Sequence, residues 1–483
     1  MRSTIKIVIL LFFICTSMSG ASFPDMEKYM RQHALIWEQL PMQWNEGAFL
    51  GNGLVGMMVY ADSTLNALVF HLGRPDVTDH RKAPYRKTSI GTEEADKMVD
   101  FCRLDVGKML LFPEGKILSG TFYLDIYNAE LTGHLKTDKG DLTFHAYTPQ
   151  PEEVNIVEVS SGVPYRWKGI PGNPCSPRIR VFPHLKEKLK YKDNPAPVVD
   201  QKDKEGSWVQ SLLAGGDYAT YWKEVPGGKS RSVLYVSTAN EVPASSLSLA
   251  KAMKTVEATQ ITGTKLLKQK TRQWWNAYHE RSFLSIPDKK LENFYFIQMY
   301  KLATCSHPDG PAMDVMGTFF KLSPWPSFWW NLNIQLTYMP IGPANRMEQG
   351  KNFQRLMDEV FPSLVRSIEP CKIGDYTWAL QNYYMYLRYA GADWQDIKQQ
   401  VVPKALDAFA VFDKILCYKE NTWHLTHIES PEYEGFQKYN DSNYGLASLS
   451  WLLQTLIACH DRTSSTHPDY ARWKEILTRL APY

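Results

Sequence analysis

The spacing of apolar residues changes period near residue 240, and that switch limits the chain to a β unit followed by a helical one. Before it, short alternating runs are separated by Gly, Pro and Asp: residues 54–60, 65–71, 121–127, 134–136, 142–147, 155–160, 178–182 and 232–237. Period-two runs at this spacing predict antiparallel strands in a sandwich. Asp138-Lys-Gly-Asp141 reads as a hairpin turn, and the charged segment 184–206 as an exposed loop. After the switch, 250–278 reads as a connecting helical region carrying Trp274-Trp275. Leu291, Phe294, Tyr295, Met299 and Leu302 share one helical face behind Pro287-Asp288. Pro403 opens a helix ahead of Leu406, Phe409 and Phe412, and Leu446, Leu449, Leu453, Leu456 and Ile457 repeat the stripe. No repeat of fixed period and no low-complexity tract interrupts this order. Helices joined by long aromatic-rich loops predict an α/α toroid with its site at one end.

Residues 1–21 have the form of a secretory leader: Arg2 and Lys6, an apolar run from Ile7 to Ile14, then Ser19-Gly-Ala21. The run is too short to span a bilayer, and no later stretch is long enough. The expectation is a secreted or periplasmic protein with no membrane span. Net charge is +3, of which the leader supplies two, and no basic stripe is present, which argues against a nucleic-acid partner. Six cysteines follow the leader, scattered and without a C-x-x-C pair, so at most one disulfide is expected. The expected layout is a leader (1–21), a β-sandwich (22–240), a helical linker (241–285) and a helical barrel domain (286–483).

Within the helical part, Ser323-Pro-Trp-Pro-Ser-Phe-Trp-Trp-Asn-Leu-Asn-Ile-Gln-Leu-Thr-Tyr-Met-Pro340 concentrates rigid aromatic surface beside two neutral amides. Trp325, Trp329 and Trp330 offer flat faces for the C–H side of a pyranose, and Asn331 and Asn333 offer hydrogen bonds to a hydroxyl or a water. On an extended backbone, favoured by Pro324 and Pro326, residues two apart point the same way. The alternative is a Trp-rich helix end buried in a core, with Asn331 as N-cap.

Trp44-Asn-Glu-Gly-Ala-Phe-Leu-Gly-Asn-Gly-Leu-Val-Gly-Met-Met-Val-Tyr60 resembles the N-terminal signature of glycoside hydrolase family 95, inverting α-L-fucosidases and α-L-galactosidases. Gly51, Gly53 and Gly56 suit tight-turn and close-packing positions whatever the family. The stretch from Asn331 to Pro340, followed by Asn345-Arg-Met-Glu348, is similar to the family's Asn-x-Asn, Tyr-Trp-Pro and Asn-Leu-x-Glu blocks, with Met339 in place of the middle Trp. His424-Leu-Thr-His-Ile-Glu-Ser-Pro-Glu-Tyr433 supplies the third block, Ser-Pro-Glu. The resemblance runs from Trp37 to the last residue and implies a multidomain β + α chain: a β-supersandwich, a helical linker and an (α/α)6 toroid, here incomplete. It also implies hydrolysis of α-L-fucosyl or α-L-galactosyl linkages in an oligosaccharide or polysaccharide, without metal or organic cofactor.

Inverting glycosidases need an acid to protonate the departing oxygen and a base to activate water, on carboxyls roughly 6.5–9.5 Å apart. From residue types alone, Glu429, Glu432 and Glu434 are equal candidates for the acid, or all three are solvated loop charges. The resemblance assigns the acid to Glu432 and the holding of the water to Asn331 and Asn333. His424 and His427 lack a third ligand at zinc spacing and read as hydroxyl-binding or packing groups. Asp441 reads first as an N-cap, and Arg346 with Glu348 as an ion pair that the resemblance places near substrate.

Family members continue well past the point equivalent to Tyr483, and that continuation carries their base. Either this chain is a fragment with little or no turnover, or Asp314, Asp375 or Asp441 substitutes. Two other readings stay open: a non-catalytic glycan-binding protein, and a toroid-type disaccharide phosphorylase.

Overall fold

The computed structural model describes residues 25–79, 81, 99, 101–242, 247–430 and 437–483. The leader and the pair Glu432 and Glu434 lie outside the described residues. Fourteen described strands precede residue 242: β1 (Leu35–Trp37), β2 (Ala48–Gly51), β3 (Gly56–Asp62), β4 (Ala67–Gly73), β5 (Lys108–Pro113), β6 (Ile117–Asp125), β7 (Glu130–Thr137), β8 (Asp141–Tyr147), β9 (Val154–Ser161), β10 (Tyr165–Ile170), β11 (Val198–Gln201), β12 (Glu205–Ser211), β13 (Asp217–Gly228) and β14 (Arg231–Glu241). They form a nine-stranded sheet, β1-β6-β7-β8-β9-β14-β13-β12-β11, and a five-stranded sheet, β10-β5-β4-β3-β2, with antiparallel pairing throughout.

Alternation decides which side chains meet between the sheets. Phe70 of β4 touches Phe144 of β8 edge-on at 5.5 Å, and Trp167 at 5.4 Å. All seven residues of β4 are buried, because its second face is covered too. There His71 lies 5.8 Å from Phe320, and a Cβ on Gly73 would sit 1.9 Å from the Thr318 carbonyl oxygen. The five-stranded sheet is thus a middle layer, with helical-region chain on its outer face. The Gly-Asn-Gly turn belongs to the same seam. Gly53 has φ +83°, and a Cβ there would stand 2.4 Å from the Ser306 carbonyl carbon. Asn52 ties the turn internally, accepting from the Leu54 and Val55 amides at 3.0 Å each.

The helical part comprises α1 (Ser248–Thr262), α2 (Thr264–His279), α3 (Lys289–Cys305), α4 (Asn333–Tyr338), α5 (Lys351–Glu359), α6 (Phe361–Val365), α7 (Ile373–Tyr389), α8 (Trp394–Gln400), α9 (Val402–Phe412), α10 (Asn443–Thr463) and α11 (Tyr470–Thr478). Trp275 and Tyr278 of α2 and Phe296 and Tyr300 of α3 are part of the sandwich core. A second core joins α4 through α11, with α7 packed on α9 and α10.

Three local expectations are corrected and one is refined. Residues 178–182 are not a strand: Pro177 at the first helical position starts a short helix, Pro177–Val181. The segment 184–206 contains a helical turn and β11 rather than loop alone. The connecting helical region is helical as expected, built as two helices that meet at Gly263 with φ +80°. In α3, Met299 and Leu302 of the expected face are buried, but they are joined by Glu292, Phe296, Tyr300 and Ala303, while Leu291 and Phe294 are exposed. All six described cysteines are free, and no described helix is long and apolar enough to cross a membrane.

Candidate functional site

The Asn-x-Asn motif sits on a strained turn. Leu332 has φ +63° and ψ −50°, and the Asn333 amide donates to the Asn331 carbonyl at 2.7 Å. This is a γ-turn of the rare kind, unfavourable for a bulky residue, and such strain gathers at functional sites. The turn leads into α4 with Leu332, not Asn331, at the N-cap position. It also separates the two amides. Asn331 is 3% exposed and its side-chain oxygen meets no donor among the described residues, whereas Asn333 is exposed. The expectation that both point alike from an extended backbone is corrected, because the γ-turn reverses the chain between them.

The three tryptophans separate as well. Trp325 is 41% exposed, but Trp329 and Trp330 are 3% and 1%. Trp330 stacks on Tyr376 of α7 at 5.1 Å, inside the helical core. Trp329 meets Trp325 edge-on at 5.2 Å. Neither buried indole offers a face to a ligand, so their expected place as sugar platforms is corrected; of the three, Trp325 alone is exposed.

The turn and α7 are tied together by Gln335, whose side-chain amide donates to the carbonyl of Trp330 and, at 2.9 Å, to that of Asp375. Asp375, in the first turn of α7, accepts from the Tyr444 hydroxyl at 2.7 Å. The preceding Gly374 makes this contact possible, since a Cβ there would stand 2.4 Å from the Tyr444 ring. Burial pushes the Asp375 carboxyl up to about 7; the Tyr444 hydrogen bond opposes this, nearby Glu429 adds to it, and Lys372 opposes it. Tyr444 is itself raised well above its usual value, by burial and then by Asp375.

Glu429 belongs to a two-residue strand, β15 (Ile428–Glu429), paired with β16 (Lys438–Tyr439). The Ser430 amide donates to the Gln437 carbonyl at 3.1 Å, which extends this pairing by one residue on each side. His424 donates through Nδ1–H to the Asp441 carboxylate at 2.7 Å, and Asp441 also accepts from the Leu425 amide at 2.8 Å. Asp441 is therefore a clamp on that hairpin and not the N-cap of α10, which is Ser442. His427 is exposed, with φ +55°. No described cluster of three or more His, Cys, Asp or Glu could hold a metal.

Two further expectations are settled by partners. Asp314 pairs with the buried Arg103 at 3.1 Å, a cross-link between sandwich and helical region. The Arg346–Glu348 pair does not form among the described contacts: Glu348 pairs with Lys351 at 2.8 Å, and fully buried Arg346 lies 4.4 Å above the Tyr278 ring. Along the exposed side of α7 run two adjoining cavities. One of about 240 Å³ is bordered by Trp378, Gln381, Tyr444 and Trp451; one of about 310 Å³ by Met339, Gln381, Met385 and Tyr389.

No protein-family model and no curated protein sequence matches the chain. Among solved structures, a human-microbiome protein described as a kojibiose phosphorylase is similar at TM-score 0.61 and 10% identity, over 93% of this chain and 70% of that one. A bacterial glucoamylase complexed with acarbose is similar at TM-score 0.50 and 8% identity, over 92% of this chain and 69% of that one. The chain shares their fold.

Sequence reasoning passed over Tyr444 and Gln335 and gave Asp375 no definite place. A Gly-Asp pair opening an aromatic-rich helix was the available signal for Asp375. Nothing in the spacing joins residue 335, 375 and 444; only the packing of α4, α7 and α10 does.

Proposed function

We propose that the chain is an exported carbohydrate-active enzyme, built as a β-supersandwich and an (α/α)6-type toroid, that cleaves α-L-fucosyl or α-L-galactosyl linkages in a glycan with inversion. The observation that supports this most is the strained Asn331–Asn333 turn, tied through Gln335 to the backbone carbonyl of Asp375, whose carboxyl lies near Glu429. The fold shared with a glucoamylase agrees with it. In this reading a sugar ring lies against Trp325 and the amides of Asn331 and Asn333 hold the attacking water. Glu432 protonates the departing oxygen, and Glu348, His424 and His427 reach outer hydroxyls. Asp375 is the described carboxyl best suited to exchange a proton near neutrality, because an acid or base works best when its pKa lies near the working pH.

The kojibiose phosphorylase similarity supports a second reading, in which phosphate replaces water as the attacking group. Incubating the protein with 4-nitrophenyl α-L-fucoside and α-L-galactoside, with and without inorganic phosphate, separates the two. Hydrolysis independent of phosphate, giving the inverted anomer by NMR and abolished in Glu432→Gln, is expected. Phosphate-dependent release of a sugar phosphate would favour the second reading, and sugar binding without turnover would reduce the protein to a glycan binder.

A further inference from the structure

The sandwich reaches into the aromatic stretch at one point. Arg178, on the short helix Pro177–Val181, is 5% exposed and donates through Nη1 to the Pro324 carbonyl at 2.6 Å. Its guanidinium carbon lies 5.1 Å from the centre of the Trp325 ring and 5.1 Å from that of Phe182. A few residues along, the Arg103 amide donates to the Pro326 carbonyl at 2.7 Å, so the backbone on both sides of Trp325 is bonded to the sandwich. The indole also meets Trp329 in a T-shaped contact at 5.2 Å, and the Trp329 carbonyl accepts from the Ile334 amide at 3.3 Å beside the Asn-x-Asn turn. Trp325 is the one exposed indole in the stretch, yet it is fixed by a cation over its ring, an edge-on neighbour and two flanking backbone bonds. An aromatic platform held this way loses little freedom when a pyranose stacks on it, which is the advantage of preorganisation. A buried guanidinium also suits the task chemically, since it can lie over an indole while one of its N–H groups bonds to a nearby carbonyl, here that of Pro324.

We propose that Arg178 is a positioning residue for sugar recognition, holding Trp325 as the platform of a pyranose subsite, so that the binding site is built from both domains. This rests on the sugar-site reading above and adds to it a residue from outside the helical domain.

The test is a double-mutant cycle with Arg178→Met and Trp325→Ala, followed by turnover of 4-nitrophenyl α-L-fucoside and by the fluorescence response to L-fucose. Thermal melting confirms that each variant is folded, and Arg178→Lys takes the place of the Met variant if that one is not. Arg178→Met is expected to raise KM, or the Kd for L-fucose, about threefold to tenfold while kcat changes less than twofold. In the Trp325→Ala background the same change is expected to have no further effect, because Arg178 acts through that ring. Equal affinities for the wild type and Arg178→Met, a loss confined to kcat, or additive effects in the cycle would each overturn the assignment. A wild type that binds L-fucose without cleaving removes the enzymatic reading and leaves the cycle readable by affinity. A folded wild type that neither binds nor cleaves overturns both.

Discussion

Replacing Asp375 with Asn gives a stability test that needs no substrate. The carboxyl is held at about 7 in the folded protein, against about 3.8 for an ordinary aspartate. Between these values the folded state binds more protons than the unfolded one, so this group's contribution is greatest below pH 4, declines as pH rises, and is lost above pH 7. A gap of about three pKa units corresponds to a ceiling of about 4 kcal/mol at pH 8. Residue 375 keeps some accessible surface, so water screens part of this and about 2–4 kcal/mol is expected. Asn preserves the shape and still accepts from the Tyr444 hydroxyl, but it never ionises. Asp375→Asn should therefore raise stability by only about 1 kcal/mol or less near pH 4.5 and by the full amount at pH 8. At roughly 2–4 °C per kcal/mol for a unit of about 200 residues, the midpoint should rise by about 4 °C or more at the higher pH. Differential scanning calorimetry of both proteins from pH 4.5 to 8.5 reads this directly. A midpoint difference that does not vary with pH, or a variant weaker than wild type at pH 8, would refute the claim that Asp375 is an unwillingly ionised group.

Two other predictions follow from buried positions. Gly53→Ala combines a positive φ with a Cβ 2.4 Å from the Ser306 backbone, and should cost about 2–5 kcal/mol in urea unfolding, with partial loosening of the seam between sandwich and helices. His279 is fully buried, donates Nε2–H to the Ile126 carbonyl at 2.9 Å, and burial pushes its pKa down to about 3. Its contribution is present above pH 6.5 and lost as pH falls towards 3, so His279→Gln, whose amide can donate to the same carbonyl, should flatten the stability–pH curve over that window. An unchanged slope in urea titrations at pH 4, 5 and 6 would contradict this.

Much of the layout was legible because it follows from local pattern. The change from period two to helical period falls between Glu241 and Ser248, the hairpin at Asp138–Asp141 joins β7 to β8, and Gly51, Gly53 and Gly56 are close-packing positions. These depend on alternation, on turn residues and on the missing Cβ of glycine, all of which are written in adjacent positions. What the sequence alone determined is therefore a β unit, a helical unit and an aromatic stretch with two amides between them.

Tertiary structure decided which of those side chains are available. Three tryptophans of one stretch look alike in sequence, but Trp330 is taken by Tyr376 and Trp329 by the core, so Trp325 alone is left exposed. The strained turn at Leu332 turns two amides with identical chemistry into one buried and one exposed group. Asp314 and Asp441, which looked as promising as Asp375, are occupied by Arg103 and His424, while Asp375 faces a tyrosine and a second carboxylate. The physical reason is the same each time: period and turn chemistry act over a few residues, whereas burial, charge partnership and desolvation are set by residues 17 to 211 positions away that only the fold brings near.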